Sequence, residues 1–150
     1  MSTIKWALPI SCAAALLLAG SASTVTPVPR SGPISLVGTV VEHHSFRTDK
    51  FPGRETWYFS LASVRRKGRA FGYGVLACSF VSTKNTIRQC TGTFSLPLGK
   101  ISVNGSFLYS ILYNLSVTGG TDEYVGVAGI LQVRQFVNSK SSYWITFELK

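Results

Sequence analysis

Glu42, His43 and His44 stand in a row at the end of the apolar run Leu36–Val41. A histidine beside a carboxylate can exchange protons near neutral pH or ligate a metal. In an extended chain, neighbouring side chains point to opposite faces, so Glu42 and His44 can share a face that His43 cannot reach. The chain has only two histidines, too few for a convincing metal site here, and no metal is expected. The same three residues would also suit a solvated strand end. No Ser-His-Asp set, phosphate-binding loop or clearly paired carboxylates accompany them.

Cys78 and Cys90 are a second constellation. They fall on successive extended segments, and a hairpin centred on Lys84 sets them face to face. Directly opposed residues have Cβ atoms about 4.5–5.5 Å apart, close to disulfide reach. In an oxidising compartment they would bond; a reactive or metal-binding thiol pair is the alternative. The third cysteine, Cys12, lies in the leader described next.

Residues 1–22 read as a secretory signal peptide: Lys5, then an apolar run from Ala7 to Gly20, then small residues at the cleavage positions. A secreted, extracytoplasmic product with no transmembrane anchor after cleavage is the expectation. Residues 23–33, with three prolines, read as a flexible mature N-terminus, and 34–150 as one domain. Hydrophobic residues make up 45% of the 150-residue chain, enough for a core and too many for a disordered one. The net charge of +9 favours anionic partners in general. No aromatic-basic motif accompanies it, so no nucleic acid is expected. Arg65-Arg66-Lys67-Gly68-Arg69 reads as a solvated hairpin tip.

Strands must carry these residues. Ile34–His43, Glu55–Val64, Ala70–Val81, Thr86–Leu96 and Lys100–Phe107 are extended by composition and by the turn residues between them. From Ile101 to Val117 the odd positions are almost all apolar, a strict period of two, with a turn placed near Tyr109-Ser110. Val125–Val137 and Ser142–Leu149 complete the set. About eight strands with short connections suit an all-β barrel or a two-sheet sandwich; closure into a barrel removes exposed edges.

The phrase Cys90-x-Gly92-Thr93-Phe94-x-Leu96-Pro97-x-Gly99-x-Ile101-x-Val103-x-Gly105, followed by Val117-Thr118-Gly119-Gly120-Thr121-x-x-Tyr124, resembles the barrel domain of allene oxide cyclases, dirigent proteins and their exported bacterial relatives. The resemblance implies an eight-stranded antiparallel β-barrel preceded by a signal peptide, and a homo-oligomer, dimer or trimer. It implies a lumen that binds a small apolar or aromatic molecule and constrains its conformation, with no cofactor. An isomerase or cyclase is the alternative, with Glu42 as its catalytic carboxylate and Tyr58 and Tyr73 as ligand-binding residues. A non-catalytic surface-interaction protein is the other. Two departures from the family's pattern stand out. Asp122 replaces a usual glycine, and Val125–Val127 lacks an arginine often found there. Gly72 and Gly74 with Gly92 and Gly105 would leave a pocket if they face inward and would only ease packing if they face outward; the favoured expectation is a partly open lumen lined by Tyr, Phe and Ile, with Glu42 at its mouth.

Overall fold

The computed structural model describes residues 32–46, 53–65, 68–81, 87–108 and 110–150. The leader expected over 1–22 lies outside them. So does the expected flexible N-terminus, except Gly32 and Pro33. These two are not flexible chain: they pair with Leu149 and Glu148 at the start of the first strand. A proline tolerates that place because the first residues of a strand can spare an N–H.

The strands are β1 (Gly32–Phe46), β2 (Arg54–Ser63), β3 (Ala70–Phe80), β4 (Ile87–Leu96), β5 (Gly99–Leu108), β6 (Leu112–Gly120), β7 (Gly129–Gln135) and β8 (Ser142–Leu149). Each pairs antiparallel with the next, and β8 closes on β1. The odd-numbered strands all end at one mouth of the barrel and the even-numbered ones at the other. Among the described residues no helix is long and apolar enough to cross a membrane.

The seventh strand is shorter than the pattern suggested. Residues 121–128 do not extend β7 but turn across one end of the barrel. A 3-10 turn over Asp122–Tyr124 sinks the Tyr124 ring out of solvent. Asp122 takes φ 55, a left-handed geometry that glycine adopts freely and aspartate tolerates. This is the position where the family usually carries glycine. Tyr124 and Val127 close that end.

Inside the barrel, strict alternation delivers Phe59, Leu61, Leu76, Phe94, Ile101, Leu131, Ile145 and Phe147 to one continuous core. Each large side chain buried this way contributes about 1.5–3 kcal/mol. The inward glycines do not leave a hollow. Gly74 lies directly opposite Phe94, and a Cβ on Gly74 would sit 2.5 Å from the Phe94 ring. The aromatic ring fills the space the glycine vacates. Gly92 is occupied likewise by Leu76, Gly105 by Leu115 and Gly38 by Ile145. The expected open lumen is therefore corrected: large neighbours across the strands lie over the small residues.

The β3–β4 register sets Cys78 opposite Cys90, and the two are disulfide-bonded inside the barrel wall. Reduction should lower stability by roughly 3 kcal/mol in the chain-entropy treatment of a short loop. It should leave the barrel folded, because the flanking backbone ladder persists. Thermal melts with and without reductant read this directly. Full alkylation of both cysteines in the native, unreduced protein would contradict it.

Candidate functional site

The mouth away from Tyr124 holds the one charged pair found deep in the barrel among the described residues. Arg88 on β4 is in phase with Cys90 and Phe94, so its side chain points inward. Glu55 on β2 is in phase with Trp57 and Phe59 and points inward too. Arg88 Nη2 lies 3.3 Å from Glu55 Oε2 and donates to Glu55 Oε1 at 3.4 Å. Their side chains are 9% and 13% exposed.

Aromatic rings surround the pair. The guanidinium carbon of Arg88 sits 4.8 Å from the Phe80 ring centre and 5.7 Å from that of Trp57. A cation over an aromatic face gains from the ring quadrupole, most when desolvated. His43 stacks on Trp57, with centroids 5.3 Å apart and planes 10° from parallel. Phe107 and Tyr113 stack face to face at 3.9 Å. Tyr143 meets Phe59 edge-on at 5.8 Å. Between Trp57, Phe59, Arg88, Phe107, Tyr113 and Tyr143 remains a cavity of about 20 Å³. That is room for about one water, not for a ligand. Larger hollows lie elsewhere. One of about 340 Å³ opens at the far mouth of the barrel among Leu36, Ser63, Phe71 and Tyr124, and one of about 590 Å³ is on the outer wall over Val75, Thr91 and Asn104.

No family model matches the chain, and no curated protein matches it. Solved structures do. A pyocyanin demethylase is 20% identical with TM-score 0.65, the alignment covering 79% of this chain and 99% of that one. A pterocarpan synthase dirigent protein is 10% identical with TM-score 0.63, over 78% and 85% of the two chains. The Diels-Alderase AbmU from Streptomyces koyangensis is 12% identical with TM-score 0.66, over 79% of this chain and 63% of that one.

The chain has the allene oxide cyclase and dirigent barrel fold.

Within this dirigent-type barrel Glu42, Tyr58 and Tyr73 face out of the wall, not into the lumen. Leu36, Gly38 and Val40 set an inward phase that would carry Glu42 and His44 into the lumen. The register with β2 shifts between Val40 and Glu42, a bulge at Val41. One extra residue reverses the alternation. His43 therefore comes to lie beside the inward Trp57, while Glu42 and His44 face outward. There the His44 ring nitrogen lies 2.6 Å from Glu42 Oε1, with both side chains more than half exposed. Glu42 has no place in the lumen.

Tyr58 also points outward, across from Glu42 and edge-on to His44 at 5.9 Å. Tyr73 is 60% exposed on the outer wall, because the inward set of β3 is Gly74, Leu76, Cys78 and Phe80. Neither tyrosine lines the lumen. Among the described residues no group of three His, Cys, Asp or Glu converges as a metal site.

Sequence reasoning missed Arg88 and Glu55. A signal was present: Arg88 is two residues from Cys90, hence on the disulfide's face, and Glu55 is two residues from Trp57.

Proposed function

We propose that this barrel is an exported binding module that holds a small, planar, aromatic or conjugated molecule at its aromatic mouth. Arg88 takes one oxygen of that molecule in the water-sized space beside it, while the body of the molecule stays at the mouth over the Trp57–His43 stack. The buried Arg88–Glu55 pair carries this reading. Desolvating two charges is costly, and well-packed apolar residues there would serve stability as well or better. A guanidinium held between a carboxylate and aromatic faces is suited to grip a flat ligand that bears a carboxylate, phenolate or carbonyl. The similar barrels are named as a demethylase, a dirigent protein and a Diels-Alderase, which supports a small-molecule role here. The filled lumen directs the ligand to the mouth, over the Trp57–His43 stack, rather than down the axis.

A cyclase is the second reading. What favours it is an inward carboxylate, and that carboxylate is Glu55, not Glu42. Held beside Arg88, it would stabilise positive charge developing in a bound substrate, with the rings supplying the shape that guides closure.

The test uses a conjugated polyene carboxylic acid as a fluorescent probe and its methyl ester as control. The acid should bind. The Arg88→Met, Glu55→Leu double variant, which removes both charges together, should lose about tenfold or more in affinity, the cost of one charge-assisted contact. Ester binding should be weaker and indifferent to the change. Equal binding of the acid to both proteins would refute the site. Protein recovered outside the cell should begin near Ser23.

A further inference from the structure

Five large apolar side chains stand out into solvent around the same mouth. Phe46 ends β1, Val81 follows β3, Leu108 ends β5, Ile111 precedes β6 and Val137 follows β7. Their exposures are 66%, 58%, 64%, 65% and 90%. Because the odd strands all finish at this end, the five project from four different connections. They form a crown around the Arg88–Glu55 floor. Among the described residues the opposite end shows Val64, Leu98, Val125 and Ile130 as its exposed large apolar residues, at 41%, 38%, 47% and 41%. Exposed apolar groups concentrated at one end of a soluble barrel mark an interaction surface.

We propose that this crown docks on an anionic lipid surface, the apolar tips entering the acyl boundary with the barrel axis steep to the membrane. The arrangement of the tips argues for lipid over protein. They project from four separate connections around a charged centre. A bilayer receives such tips without shape complementarity, whereas a folded partner would need a matching collar. Charge argues for anionic headgroups. Arg54, Arg134 and Lys140 are exposed just behind the crown. Among the described residues the acids at this end are Glu42 and Glu55, already engaged with His44 and Arg88. Asp122, Glu123 and Glu148 lie at the other end. Long basic side chains behind apolar tips can reach headgroup phosphates while the tips enter the membrane.

Flotation of the full chain with phosphatidylcholine vesicles, with and without phosphatidylglycerol, tests this. Binding should require the anionic lipid, weaken with salt, and fall about tenfold or more in the Leu108→Ser, Ile111→Ser, Val137→Ser variant. Oxidative footprinting of the bound protein reads the contact residue by residue, whatever the leader contributes. Phe46, Leu108, Ile111 and Val137 should be protected, and Tyr73 on the outer wall should not. Failure to bind anionic vesicles overturns the proposal, as does binding that leaves the crown fully labelled. So does concentration-dependent protection of the crown without lipid in a protein that sediments as a dimer, which would make it a self-association surface.

Discussion

Arg88→Met, made in a chain that keeps Glu55, is expected to cost about 3–5 kcal/mol of folding stability. The methionine fills most of the arginine's volume, so lost packing is not the main effect. What remains is a carboxylate 13% exposed with its cation gone. Adding Glu55→Leu should return most of the loss, because the pair's desolvation cost is removed together with its attraction. Urea titrations of wild type, the two single variants and the double variant form a complete cycle. A single-variant cost under about 1 kcal/mol would mean that water reaches the pair freely, as it does at surface salt bridges. The argument that this pair is kept for binding would then fail. A restored double variant that no longer binds the probe is the outcome that separates the pair's role in binding from its role in folding.

Phe94→Ala should be as damaging, at about 3–5 kcal/mol. Phe94 is 1% exposed, meets Phe147 edge-on at 5.2 Å and lies against Gly74. On the β3 side no other side chain can take its place, because Gly74 has none; on the β5 side its partner Ile101 is already buried. Two consequences distinguish this account from generic core loss. Gly74→Ala alone should cost about 1–3 kcal/mol by overpacking against a ring that cannot move aside. In the Phe94→Ala background the same change should be neutral or stabilising, since the added methyl then enters empty space. The Phe94→Ala cavity should also stay dry and take up a small apolar probe such as benzene. Gly74→Ala costing the same in both backgrounds would show that Phe94 does not occupy the glycine's place.

Much of this architecture was legible in the chain because it depends on local rules. Period-two alternation from Ile101 to Val117 placed β5 and β6, which end and begin at Leu108 and Leu112; of the turn expected near Tyr109-Ser110, Tyr109 lies outside the described residues. The hairpin centre at Lys84 was enough to set Cys78 against Cys90, since an antiparallel register follows from its turn alone. The phrase from Cys90 to Tyr124 pointed to the barrel that was found. The site was another matter. A bulge at Val41 is a single-residue event with no compositional mark, yet it reversed the facing of every residue after it. Glu42 and His44 went outside for that reason alone. Gly72, Gly74, Gly92 and Gly105 announced small volumes, but whether a small residue leaves a pocket depends on what faces it across the sheet. Here Phe94, Leu76 and Leu115 fill most of that space. Arg88 and Glu55 lie on strands separated by β3, and nothing in their sequence spacing links them. Closing eight strands into a narrow tube brought the guanidinium to the carboxylate and ringed both with aromatic side chains.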